Sequence, residues 1–137
     1  MPNHCYQSVY VQGPRALVQE LFFNLTENNR FCDAVTPMPL DRALDSYEWR
    51  VTNWGTKWDV AEAEITQGLE VSAHEIEAWF AFRCWTAWAP PIPVWDKLHE
   101  MGVTVEAEYQ DEGGMFEGRY SDGEDECWVP DLEEEAV

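Results

Sequence analysis

The run Ile76 to Trp88 (IEAWFAFRCWTAW) constrains the fold more than any other stretch. It is dense in aromatic residues, which suit a pleated and well-covered strand. Pro90, Pro91 and Pro93 follow at once and end it. The run therefore predicts a central strand, and a central strand needs neighbours. The alternating segments Cys5 to Val11 (CYQSVYV), Val60 to Thr66 (VAEAEIT) and Val103 to Tyr109 (VTVEAEY) supply them. Met115 to Tyr120 pairs with the last of these as a hairpin across Gly113 and Gly114.

Two helices separate these strands. From Arg15 to Asn28 the residues Leu17, Val18, Leu21, Phe22 and Leu25 recur at helical spacing, behind a proline suited to a first turn. Val94 to Met101 follows the proline cluster, with Gly102 as its stop. Phe31 to Leu40 carries Pro37 and Pro39 and is expected to be extended, with a short helix from Asp41 through Tyr47. A turn is expected at Asn53 to Thr56 and another at Gln67 and Gly68. The order predicts an α+β fold. It is a ferredoxin-like split βαβ sandwich, an antiparallel sheet with two helices on one face and an inserted Trp-rich loop. Residues 1–120 form this domain and residues 121–137 an acidic C-terminal segment.

The chain has 137 residues, long enough to bury a core without disulfide or metal. Asp and Glu number 27 against 8 Lys and Arg, a formal net charge of -19. Direct contact with a nucleic-acid backbone or an anionic membrane is disfavoured, because both need a basic surface. A basic protein or nucleoprotein complex is the expected partner, or else the charge serves solubility. Cys5, Cys32, Cys84 and Cys127 lie far apart and form no C-x-x-C pair, so no metal or other cofactor is expected. No signal-peptide or membrane-span pattern is present, and a cytoplasmic location with reduced thiols is expected.

Three stretches stand out: the opening MPNHCYQSVYVQG, NWGTKWD at Asn53 to Asp59, and TAWAPP at Thr86 to Pro91. In NWGTKWD, Gly55 permits a tight turn. Lys57 either pairs with Asp59 or lies over an indole. The loop is either a plug of the core or a recognition loop with aromatic anchors. Together with a hairpin carrying Tyr109, Glu112, Phe116 and Gly118, these blocks resemble the YubB ferredoxin-like family, phage and plasmid proteins of unknown function. His4 stands where that family more often has Trp. The resemblance spans Met1 to about Tyr120 and implies a mobile-element protein. It implies no reaction.

Catalysis is not expected. His4, His74 and His99 show no metal spacing, no phosphate loop is present, and Glu62 with Glu64 reads as a solvated strand face. Cys84, in an apolar strand, reads as an inert thiol. The acidic C-terminal third carries the functional expectation. Glu106, Glu108, Asp111, Glu112, Glu117, Asp122, Glu124, Asp125 and Glu126 are the candidate protein-binding acids, with Trp54, Trp58 and Trp88 as aromatic contacts. The expected function is inhibition of a host defence or nucleic-acid-handling protein, as an anti-CRISPR or anti-restriction DNA mimic. One alternative is a single-stranded nucleic-acid binder that stacks bases on Tyr6, Tyr10, Phe80 and Phe82. Another is a small-molecule binder or enzyme with a pocket between the tryptophan loop and the helix from Val94.

Overall fold

A computed structural model describes residues 4–39 and 45–130. Six strands and four helices are described. They are β1 (His4–Pro14), α1 (Arg15–Asn28), α2 (Cys32–Val35), α3 (Ser46–Asn53), β2 (Ala61–Val71), β3 (Glu77–Ala87), α4 (Ile92–Glu100), β4 (Thr104–Asp111), β5 (Glu117–Ser121) and β6 (Glu124–Trp128). One sheet holds all six strands in the order β2-β3-β1-β4-β5-β6, and every neighbouring pair is antiparallel. The α+β class and the antiparallel sheet are as expected. The strand order is not that of a four-stranded ferredoxin-like sheet, because β5 and β6 continue it beyond β4.

Residue parity decides which side of the sheet is covered. Val9 faces Phe82 on β3 and Ala107 on β4, and Val11 faces Phe80 and Val105. All six are buried, and they pack with Val18, Leu21 and Leu25 of α1 and with Val94, Trp95 and Leu98 of α4. Trp95 is 1% exposed and meets the rings of Tyr109 and Tyr120. Truncating such a ring to Ala costs about 3–5 kcal/mol. Among the described residues no helix covers the opposite side, which carries Tyr6, Ser8, Tyr10, Arg83, Trp85, Glu106, Glu108 and Arg119.

Helix α1 begins at Arg15, behind Pro14, and closes at Asn29, whose left-handed backbone (φ 52) turns its N–H back to the Asn24 carbonyl. Both ends agree with the sequence. Elsewhere the sequence and the structure differ. The expected helix from Asp41 to Tyr47 lies largely outside the described residues, and α3 instead runs on through Asn53, so the insertion is partly helical. Strand β2 passes through Gln67 and Gly68 to Val71, where a turn was expected. Its register against β3 shifts at three places, which absorbs the turn-like residues as bulges. The sheet also continues past residue 120: Glu124 to Trp128 pairs with β5 across Asp122 and Gly123. Their φ values of 48 and 86 are those of a tight two-residue hairpin turn.

Candidate functional site

The three conspicuous sequence stretches meet at one corner of the sheet. Thr56, 1% exposed, joins the two tryptophan blocks: its hydroxyl accepts from the Ala87 N–H and donates to the Ala87 carbonyl, both at 3.1 Å. Gly55 lies against the start of α4. A Cβ there would come 2.7 Å from the Pro93 ring, and the backbone sits at φ +79, so glycine is required on two counts. The Asp59 carboxylate accepts from the backbone N–H groups of Phe31, Cys32, Asp33 and Val60, at 2.7 to 3.3 Å. It thereby caps the single turn α2 from far along the chain, since the first N–H groups of a helix have no internal partner. From the opening stretch, His4 stacks on Trp85 at 3.8 Å between ring centroids, and Trp58 meets the same indole edge-on at 6.4 Å.

Lys57 settles the choice left open by its sequence. Asp59 is committed to backbone groups, and the Lys57 ammonium lies among three rings, those of Tyr47, Trp58 and Trp88, at 5.8, 5.7 and 5.5 Å from their centroids. These distances are within cation–π range. The loop backbone beneath is held by the Arg50 guanidinium, which donates to the Lys57 carbonyl at 2.5 Å.

Beside this corner the uncovered side of the sheet forms a shallow concavity of about 600 Å³. Strand register arranges its side chains in rows that cross the sheet. One row reads Glu64, Arg83, Ser8, Glu108, Arg119, Glu126 from β2 to β6. The next reads Trp85, Tyr6, Gln110, Glu117, Trp128. A third reads Gln67, Ala81, Tyr10, Glu106, Ser121, Glu124. Neighbours in a row are about 5 Å apart and successive rows about 7 Å. Each tryptophan here is oriented by a carboxylate that accepts its indole N–H: Glu62 from Trp85 at 2.6 Å, Glu70 from Trp79 at 2.9 Å and Glu117 from Trp128 at 2.8 Å. Arg83 is paired with Glu64 at 3.1 Å. A dense field of carboxylates therefore surrounds a few fixed aromatic faces.

The sequence-predicted acids divide among several places. Glu106, Glu108, Glu117, Glu124 and Glu126 share the uncovered face. Asp125 points to the helix side, where it accepts from the Tyr109 hydroxyl at 2.5 Å. Asp111 is buried, 4% exposed, and accepts from the Met115 N–H within the β4–β5 turn. Glu112 accepts from the His4 N–H at the end of the sheet, and Asp122 lies 3.7 Å from the His99 ring at the β5–β6 turn. Trp58 and Trp88 belong to the aromatic corner. Trp54 is interior, its indole N–H donating to the Thr36 carbonyl. Phe80 and Phe82 are buried under the helices and face away from the surface that carries Tyr6 and Tyr10, so the four rings form no common stacking platform. Sequence reading did not single out Tyr47, Arg83 or Trp85. Trp85 and Arg83 were legible in principle, as alternate residues of one strand.

Burial pushes the Cys5 thiol up to about 12 and raises Cys32 and Cys84 as well, so all three stay protonated at neutral pH. Among the described residues no group of three or more His, Cys, Asp or Glu is placed to hold a metal ion. The tryptophan loop packs directly on α4 through Gly55 and Pro93, where a small-molecule pocket was one of the expectations. No described helix is long and apolar enough to cross a membrane. No family model, curated protein or solved structure matches the chain.

Proposed function

We propose that this protein is a non-catalytic binder of a basic protein surface. It acts as a mobile-element inhibitor of a host defence or nucleic-acid-handling protein, of the DNA-mimic kind. The observation that carries this reading is the uncovered face of the sheet. Glu64, Glu106, Glu108, Glu117, Glu124 and Glu126 stand on it in register, with Glu62 beside them at a register shift of β2 and Arg83 and Arg119 the opposing charges among the described residues. A rigid lattice of carboxylates offers a basic channel the closely spaced negative charge it would otherwise find on a nucleic acid. Complementary fields also speed the encounter. The β1-α1-β2-β3-α4-β4 order, with α2 and α3 inserted between α1 and β2, supports a split βαβ scaffold, with β5 and β6 as an addition that widens the acidic face.

The test is a charge reversal with a control on the helix side of the sheet, two acids against four. Glu106, Glu108, Glu124 and Glu126 are changed to Lys in one variant. Glu20 and Glu27, exposed on α1, are changed in the other. Capture from a bacterial lysate at low and high salt, read by mass spectrometry, should recover a nucleic-acid-binding complex with the native protein. High salt and added duplex DNA should release it. The sheet variant should lose it while keeping its circular dichroism, and the α1 variant should retain it. Equal capture by the folded sheet variant would remove the reading.

A further inference from the structure

The aromatic corner holds a cation that is not obliged to stay. Tyr47, Trp58 and Trp88 surround the Lys57 ammonium, and among the described residues no carboxylate lies within 4.0 Å of it. Among the described residues, rings and not a carboxylate hold this lysine. The rings are open to the surface, with Tyr47 44% and Trp88 39% exposed. Trp88 also adopts a left-handed backbone, φ +71, which a bulky residue occupies at a cost and which clusters at binding sites. Tyr47 and Trp88 meet edge to face at 6.0 Å, so two walls of the enclosure brace one another.

The backbone under Lys57 is fixed on both sides. Thr56 is bonded to Ala87, Arg50 holds the Lys57 carbonyl, and Asp59 anchors the far end of the loop. The Lys57 side chain, four flexible methylenes long, can therefore leave while the three rings stay in place. We propose that Tyr47, Trp58 and Trp88 form a receptor for an alkylated ammonium group, with Lys57 as its resting occupant. A quaternary ammonium carries its charge on a bulky apolar shell, which gives it up to ring faces more readily than water-loving lysine does. The strongly negative protein raises the local concentration of any such cation. This site is independent of the acidic sheet face and stands or falls without it.

The experiment is a titration of the full chain with tetramethylammonium chloride, read by tryptophan fluorescence and matched with sodium chloride for ionic strength. The native protein should show a weak saturable response. Lys57→Ala should bind more tightly, because a cage filled nine-tenths of the time by its own lysine weakens apparent affinity about tenfold. Trp88→Ala should abolish the response in both backgrounds. The N-methyl proton resonance of the ligand should move upfield in Lys57→Ala, as expected for a methyl over an aromatic face, and should stay put in the double variant. An unchanged ligand resonance in a folded Lys57→Ala protein would show that the rings merely seat the lysine, and would overturn the proposal. So would a fluorescence response that survives Trp88→Ala.

Discussion

The aromatic corner and the β5–β6 hairpin both combine tryptophan with carboxylates, yet they are built on opposite principles. At the corner, the polar groups of Asp59 and Thr56 are spent on other parts of the chain. Asp59 serves four backbone N–H groups, Thr56 serves both polar groups of Ala87, and Gly55 lets α4 come close. In the hairpin the acids face water. All of β6 is exposed, and it is held by its ladder to β5, by the Tyr109 hydroxyl on Asp125 and by the Trp128 indole on Glu117. The same residue types serve as mortar in one place and as surface in the other. A charge that satisfies buried donors is costly to remove, while a solvated one is nearly free to change.

Removing Asp59 should break the corner outright. Asp59→Ala strands the N–H groups of Phe31, Cys32, Asp33 and Val60 together. The expected loss is about 3 kcal/mol, since each unsatisfied and partly buried donor carries its own desolvation cost. The melting temperature should fall on the order of 10 °C in a chain of this size. Calorimetry decides it, and a drop of a degree or two would mean that water replaces the carboxylate and that the corner is looser than its hydrogen bonds suggest.

The join between hairpin and core should give an intermediate effect, visible at high pH. Desolvation, and then the hydrogen bond to Asp125, raises Tyr109 well above its ordinary 10.0. Desolvation and the bond to Asp96 do the same for Tyr120. A group whose folded-state pKa is raised holds its proton more tightly in the folded chain. Its contribution is complete below about pH 10 and is lost as pH climbs toward the raised folded value. Urea midpoints should therefore be level at neutral pH and decline above about pH 10. Tyr109→Phe should cost about 1 kcal/mol at pH 7 and flatten part of that decline. Gly118 sharpens the point: a Cβ there would overlap the Tyr109 ring and the Glu126 carbonyl, so the ring and β6 are seated together on a bare strand. Hydrogen exchange in Tyr109→Phe should rise first in β6 and last in β1.

How much of this could be read from the chain differs by region for physical reasons. Helix α1 was legible to the residue because a proline starts it and a 3.6-residue apolar period runs through it. Strand β3 was legible as a strand, but both of its parities are aromatic. Nothing local tells that Phe80 and Phe82 face the helices while Trp79 and Trp85 face out. Only pairing with β1, whose buried residues are the odd ones, fixes the parity. Strand β6 was missed because Glu124 to Trp128 has no apolar alternation. Its signal was the Asp122-Gly123 dipeptide, a strong hairpin turn that an acidic context obscured. The conspicuous blocks were visible as blocks, but their meeting through Thr56 and Ala87 spans 31 residues of sequence and leaves no local trace.

The smallest effect should come from the hairpin's own charges, and it has a sign that the corner cannot share. Glu124 and Glu126 share one face of β6, with Glu106 and Glu108 two strands away across β5 and Arg119 the one opposing charge between them, so repulsion outweighs attraction there. Changing Glu124 and Glu126 to Gln should leave stability within about 0.5 kcal/mol of the native value, as exposed substitutions do. The change should be toward greater stability, because repulsion is relieved and no donor is stranded. Added salt should produce the same gain in the native protein and less in the variant, since screening removes the same term. Urea titrations at low and high ionic strength separate the cases. A variant that is instead less stable, with undiminished salt dependence, would mean that these acids hold β6 in place as Asp59 holds α2. The contrast between surface and mortar would then be lost.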